Sequence, residues 1–298
     1  MKSGLLFALS LFALQAHATI SVQDDAGNAV VVSQPAQRII SLAPHATELI
    51  FAAGGGDRIV GTVGYSDYPA AALKIARVGN HQQIDIERII ALKPDLLVVW
   101  LHGNSERQLE HLRKLGIPFY YSEPKKLSDI PDSVQRLGKL MGTEQQAEKT
   151  AIAERAELTR LRTQYGNRPP VRTFYQVWGK PVYTLNGEHI MSDVFRLCGG
   201  ANVFAKLSVT APTVSVESVL LENPEAMFTG GRREKKTAGL EMWEQYPNLL
   251  AVKNGNLFPI DGDLLNRAGP RLIEGAAMVC EKLELARSRR SAKPSTQP

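Results

Sequence analysis

Residues 87–100 read ERIIALKPDLLVVW, and residues 217–230 read ESVLLENPEAMFTG. Glu87 aligns with Glu217, Ile89-Ile90 with Val219-Leu220, Pro94 with Pro224, Asp95 with Glu225, and Leu96-Leu97-Val98 with Ala226-Met227-Phe228. Each copy is patterned as a short helix, a proline turn and a buried strand. A looser echo precedes each copy: residues 47–54 (TELIFAAG) against residues 192–199 (SDVFRLCG). Two related lobes in one chain imply a cleft between them, and such clefts are preferred sites for small ligands.

Around the first copy, short apolar runs at 39–42, 59–63, 96–100 and 118–121 alternate with helical patterns at 47–53, from 86, and at 106–115. This βαβα alternation predicts an α/β lobe with a parallel sheet. Asp85 and Ser215 stand where they can cap the paired helices. Residues 127–166 differ. Apolar positions recur there at helical spacing, with Gly142-Thr143 as an interruption, and predict a long helix connecting the lobes. The expected organisation is a first lobe over 19–126, the connecting helix over 127–166, a second α/β lobe over 167–287 and a disordered tail over 288–298.

The chain has 298 residues, 44% of them hydrophobic and 22% charged, so it is long enough for two globular units. Its net charge of +5 is small and shows no basic stripe interleaved with aromatics, so nucleic acid is not an expected partner. The N-terminus reads as an export signal: Lys2, an apolar stretch over 4–14, then Ala16-His17-Ala18 as a cleavage site. That apolar stretch is too short to span a bilayer. In an oxidising compartment the two cysteines, Cys198 and Cys280, are expected to form one disulfide, the alternative being two buried thiols. No Gly-x-Ser-x-Gly elbow, His-Glu-x-x-His helix or phosphate loop is present, and the histidines lack metal-ligand spacing. No catalytic residue or metal site is therefore assigned.

Five stretches carry a resemblance: Tyr65-Ser66-Asp67-Tyr68-Pro69; Glu87-Arg88-Ile89 with Ala91-Leu92-Lys93-Pro94-Asp95; Gly103-Asn104 with Glu106-Arg107-Gln108; Cys198-Gly199-Gly200; and Arg267-Ala268 with Pro270-Arg271. From about Ile39 to Leu285 the chain resembles the helical-backbone periplasmic binding proteins, which serve ABC importers of vitamin B12, haem and iron-siderophores. The first and last stretches are similar to its vitamin B12-binding branch. The resemblance implies two α/β lobes joined by a long helix, and a monomer that captures cobalamin or a related corrinoid as cargo. It holds no cofactor of its own and delivers the cargo to an inner-membrane permease. Glu87 and Glu217 map onto the acidic residues that meet the permease, although a first-turn glutamate also suits a helix dipole without any partner.

The implied ligand contacts are Tyr65, Trp100, Tyr183, Asp263 and Arg267. Aromatics offer flat contact area with polar edges, and arginine offers a donor fork. Trp178 and Trp243 are assigned to core packing. His81 and Ala211 stand where the family carries tryptophans, and His45 replaces a small residue, so His45 and His81 are added to the cleft candidates. Alternative readings are a haem- or siderophore-binding importer component and, from another class, a periplasmic enzyme acting on a large cofactor.

Overall fold

The computed structural model describes residues 19–80, 83–231 and 239–290. The export signal over 1–18, His81 and residues 291–298 of the expected tail lie outside the described residues.

The first lobe contains β1 (Ile20–Gln23), β2 (Ala29–Val32), β3 (Ile39–Ser41), α1 (Pro44–Ala52), β4 (Ile59–Thr62), α2 (Ile86–Ala91), β5 (Leu96–Trp100), α3 (Glu106–Arg113) and β6 (Phe119–Ser122). Two helices follow, α4 (Asp129–Met141) and α5 (Glu144–Tyr165). The second lobe contains β7 (Val171–Gln176), β8 (Trp178–Gly179), β9 (Val182–Tyr183), α6 (Ile190–Leu197), β10 (Gly200–Asn202), α7 (Val216–Glu222), β11 (Ala226–Gly231), α8 (Leu250–Lys253), β12 (Leu257–Asp261), α9 (Gly262–Leu265) and α10 (Arg271–Arg290).

The sequence repeat is a structural repeat. The first sheet has the order β4-β3-β5-β6 and the second β10-β7-β11-β12, and every pairing in both is parallel. In each copy a side chain caps the helix: Asp85 accepts from the Arg88 amide at 2.9 Å, and Ser215 from the Ser218 amide at 3.1 Å. Ile89 and Val219 are both fully buried. Lys93 (φ 47°) and Asn223 (φ 43°) then end both helices in the left-handed region, which turns the chain through Pro94 and Pro224. The next carboxylate ties each strand to its neighbour in the sheet, β5 to β3 and β11 to β7. Asp95 accepts from the Arg38 amide at 2.9 Å, and Glu225 from the Arg172 amide at 3.3 Å. The β1–β2 hairpin adds cover to the first sheet: Asp24 and Asp25 accept the Tyr121 and Glu123 amides at 3.2 and 2.6 Å along the edge strand β6.

The expected long connecting helix is α5, and the stretch before it in the 127–166 run forms a separate helix, α4. Gly142, at φ 66°, breaks the run between α4 and α5. Gly138 lets the two pack closely, since a Cβ there would lie 2.2 Å from that of Ala147. α4 packs on α1 and β1, whereas α5 touches α1 and α4 on one side and α6 and α10 on the other, so α5 joins the lobes. A continuous apolar core runs through both lobes along these helices, from Val30 to Ala286. The Cys198–Cys280 disulfide is formed and pins α10 to the end of α6, with a Cα separation of 4.7 Å. α10 runs through Arg290, so residues 288–290 are helical rather than part of a disordered tail.

Candidate functional site

Ligand sites in open parallel sheets lie beyond the carboxyl ends of the strands. Here those ends face each other. Arg267, after β12, donates to Glu48 at 3.1 Å and to Asp67 at 2.7 Å, and both acids follow carboxyl ends of the first sheet. Arg271 donates to both oxygens of Glu48, at 3.1 and 2.7 Å, and lies 4.1 Å from the Tyr68 ring centre. The Glu48 side chain is 1% exposed and the two arginines 11% and 12%. Arg267 holds Asp263 as well, at 3.2 Å. Partial burial would raise the Asp67 carboxyl, but Arg267 prevails and holds it below the ordinary carboxylate range. This charged network ties the two lobes together, and Arg267 has three acidic partners within it.

In the first lobe, Tyr65 follows β4 at φ 64° and is 75% exposed. A non-glycine residue costs about 1–3 kcal/mol in that region, so the surroundings must impose it. A buried hydroxyl cluster does so. Thr47 Oγ1 contacts Ser41 at 2.8 Å, Thr62 at 3.0 Å and Ser66 at 3.1 Å, and Arg77 donates to the Ser66 carbonyl at 2.9 Å. The Tyr65 ring is thus presented to solvent by a rigid loop. Trp100 ends β5. Asn104 accepts its amide at 2.7 Å and donates to the Leu42 carbonyl at 3.0 Å. Gly103 crosses the indole so closely that a Cβ would lie 1.9 Å from it.

His45 is buried rather than open to solvent. It is 5% exposed, packs edge-on against Trp100 with 5.7 Å between ring centres, and meets the Ser122 carbonyl at 3.4 Å. Burial pushes its imidazole down to about 4, only partly opposed by that carbonyl, so it is a neutral support for Trp100. A small residue placed on α1 beneath a strand-end tryptophan leaves room for an imidazole, which is why sequence alone could not separate lining from support.

In the second lobe, Tyr183 is 37% exposed on β9, and Asp263 is open to solvent. The two remaining tryptophans differ. Trp243 is fully buried, with its Nε1 donating to Gln176 at 2.7 Å. Trp178 is 65% exposed, which corrects its assignment to the core. Sequence reading also passed over Glu48, whose helical pattern gives no sign of burial, together with the tie from Asp67 to Arg267. Glu87 and Glu217 occupy equivalent exposed positions in the first turns of α2 and α7. Their own helices run antiparallel to β5 and β11, which sets both at the carboxyl edge of their sheets. The Glu217 carboxyl lies below its ordinary range because its own backbone amide and then the Ser215 hydroxyl stabilise the anion.

The pattern of the family described as "periplasmic binding protein" matches residues 39–264. The vitamin B12-binding protein of Vibrio cholerae is 45% identical over 253 residues, which cover 85% of this chain and 91% of that protein. The crystal structure of a periplasmic vitamin B12-binding protein of Vibrio cholerae superposes with a TM-score of 0.79 at 43% identity, covering 85% of this chain and 98% of that one. A periplasmic haem-binding protein of Vibrio cholerae shares the fold at a TM-score of 0.72 and 22% identity, over 83% of this chain and 98% of that one. The repeat, the facing sheet edges and these matches have one common account: the chain belongs to the periplasmic binding protein family.

Proposed function

We propose that this protein is the solute-binding component of an ABC importer, that it captures cobalamin or a closely related corrinoid in the cleft, and that it presents it to an inner-membrane permease. The observation that carries the reading is the 45% identity to a vitamin B12-binding protein across both lobes, so that both walls of the cleft fall within the shared region. The cleft suits such a ligand. Tyr65, Trp100 and Tyr183 offer flat apolar area for a corrin ring. Asp263, and the outward edges of Arg267 and Asp67, offer hydrogen bonds to its side-chain amides. Glu87 and Glu217 make two equivalent acidic points, one per lobe, for basic residues on a two-fold permease face, where charge sets orientation more than raw affinity. His81 stays a candidate ligand contact.

The same reading makes the protein an exported periplasmic monomer, cleaved near Ala18, that retains its ligand rather than converting it. Calorimetric titration of the mature protein with cyanocobalamin tests it, with haemin in parallel. A one-to-one isotherm of about 1 μM or tighter for cyanocobalamin, with weak haemin binding, is expected. Tight haemin binding without cobalamin heat would move the protein to the haem importers. Release of an altered corrinoid would make it an enzyme.

A further inference from the structure

His102 and Glu123 form a histidine–carboxylate pair at the carboxyl ends of two neighbouring strands. His102 lies two residues beyond the end of β5, Glu123 follows β6 directly, and the two strands pair side by side in the first sheet. The hydrogen bond joins His102 Nδ1 to Glu123 Oε2. A carboxylate accepts hydrogen bonds and does not donate them, so the pairing assigns the proton to Nδ1 and leaves a lone pair on Nε2. The His102 side chain is 69% exposed and that of Glu123 20%, so an open imidazole stands on a largely covered acid. A pair this exposed adds little to stability, which leaves the arrangement without a structural purpose.

Both members are held in place by their surroundings. The Trp100 carbonyl accepts the Gly103 and Asn104 amides at 3.4 and 3.2 Å, which closes a tight turn with His102 at its tip. The Asn104 side chain pins that turn to β5 and to the Leu42 carbonyl, and Gly103 lies against the Trp100 indole. The Glu123 amide donates to Asp25 at 2.6 Å, and Asp25 is paired in turn with Arg136 on α4. A histidine oriented by an acid through one ring nitrogen, with the other nitrogen open, is how proteins present imidazole to a metal. No cluster of three or more metal-ligating side chains exists among the described residues. A metal suited to His102 must therefore arrive with its other ligands in place. The other described histidines offer no such nitrogen at this edge. His45 is buried, His189 Nδ1 accepts an α6 amide, and His111 lies in the last turn of α3, which runs away from the carboxyl ends of the strands. Tyr65 follows β4, and β3 alone separates β4 from β5. The tyrosine loop and the His102 turn thus leave the sheet about 10 Å apart, with Trp100 beneath the turn.

We propose that His102, positioned by Glu123, is an axial ligand to the cobalt of the cargo, and that the protein therefore favours corrinoids whose cobalt carries an exchangeable water over those capped by a firmly held ligand such as cyanide. In the exchange the cobalt–oxygen bond to water breaks, water leaves, and the Nε2 lone pair forms the new cobalt–nitrogen bond. No electron is transferred, and the Nδ1 proton stays in its hydrogen bond to Glu123. This inference rests on the functional reading above for the class of cargo, and on the geometry of the pair for the residue.

Parallel titrations with aquocobalamin and cyanocobalamin test it, followed by calorimetry and by visible absorption, on the wild-type protein, His102→Ala and Glu123→Gln. Exchanging cobalt-bound water for imidazole shifts the absorption bands of the corrin. The wild-type protein is expected to shift the aquocobalamin spectrum on binding and to leave the cyanocobalamin bands in place. His102→Ala should abolish the shift and weaken aquocobalamin binding about 10- to 100-fold, with cyanocobalamin affinity unchanged. Glu123→Gln should keep the shift and lose part of that affinity. Aquocobalamin bound by the wild-type protein with no spectral shift overturns the inference while leaving the function intact. A shift that survives in His102→Ala assigns the cobalt to another residue and also overturns it. So does an equal loss of affinity for both corrinoids in His102→Ala, which would make the imidazole a packing contact. A wild-type protein that binds neither corrinoid overturns both the inference and the reading beneath it.

Discussion

Glu48 is the residue whose loss should be felt furthest from its own helix. Its carboxylate takes three hydrogen bonds from two arginines that lie more than 200 positions away in the sequence, and all three side chains are largely buried. A charge pair about 4 Å apart is worth about 4 kcal/mol gross at an effective dielectric of 20. Desolvation of each ion and the repulsion between Arg267 and Arg271 offset much of this. Removing one partner is a different matter, because it strands buried charge at a cost of about 3–5 kcal/mol. In Glu48→Ala, Arg267 would still hold Asp67 and Asp263, while Arg271 would lose its hydrogen-bonded carboxylate and keep the Tyr68 ring and the attraction of Asp263. A loss of about 3–5 kcal/mol in unfolding free energy is therefore expected for Glu48→Ala, and about half of that for Glu48→Gln, which keeps an acceptor. Urea unfolding followed by circular dichroism gives the free energy, and small-angle scattering reports whether the lobes separate. Added salt should change the wild-type value little, since buried pairs are poorly screened. A loss under about 1 kcal/mol for Glu48→Ala, with an unchanged scattering profile, would refute the claim that this cluster fastens the lobes.

Three further outcomes are expected. Replacing Cys198 and Cys280 together by serine reopens a loop with a sequence separation of 82, and thermal or urea unfolding should show a loss of about 4–5 kcal/mol on the chain-entropy account. His45 and His189 are each pushed down to about 4 by burial, and His189 also caps α6 through Nδ1 as an acceptor at 3.1 Å, a bond that protonation would abolish. Their folded values lie below the ordinary 6.5, so the stability they contribute is complete above pH 6.5 and is lost as pH falls toward 4. The loss is up to about 1.4 kcal/mol per imidazole per pH unit, and His45→Gln with His189→Asn should flatten that slope. Glu154 on α5 has the opposite sign. Burial raises its carboxyl to about 7 against the pull of Arg155, and its Oε2 has no hydrogen-bond partner among the described residues. Its contribution is complete below pH 4.5 and lost as pH rises through 7, so Glu154→Gln should raise the unfolding midpoint at pH 8 by an amount worth up to about 3 kcal/mol, and leave it unchanged at pH 4.5.

The repeat was legible because it is local. A capped helix, a turn into proline and a buried strand each leave their mark within about a dozen residues, and the structure returns both copies with equivalent caps, turns and sheet positions. The left-handed Lys93 carried no such mark, since lysine is an unusual occupant of that conformation, whereas Asn223 is of a type that adopts it readily. Gly142 was visible as an interruption, but whether it would bend one helix or divide it depended on Gly138 and Ala147 meeting across the crossing. The site was harder to read for a different reason. Trp178 and Trp243 are the same residue type in similarly apolar stretches, and only the hairpin that lifts one and the Gln176 bond that draws in the other separates them. Arg267 reads as a free donor until the chain folds back to bring Glu48 and Asp67 to it across 219 and 200 positions.

The two fastenings between the lobes differ in kind, and the difference bears on how the cleft can work. At the back, α5 and α10 carry an apolar core that is continuous through both lobes, and the disulfide holds α10 against α6. Apolar packing is dense and resists shear, so large hinge rotations would have to open a filled core. At the front, the lobes meet through two carboxylates, Glu48 and Asp67, and two guanidinium groups. A cluster of that kind is held by direction and charge and can exchange one acceptor for another without emptying a cavity. A ligand that offers amide or phosphate oxygens to Arg267 can replace Asp67, which is the more exposed of its two first-lobe partners, while Glu48 keeps its hold. On the proposed function, capture would then need a local exchange of hydrogen bonds rather than closure of two bodies. On the same reading, the mechanical work of opening would fall on the permease that grips both lobes at once, and Glu87 and Glu217, exposed in equivalent first turns of α2 and α7, would transmit it.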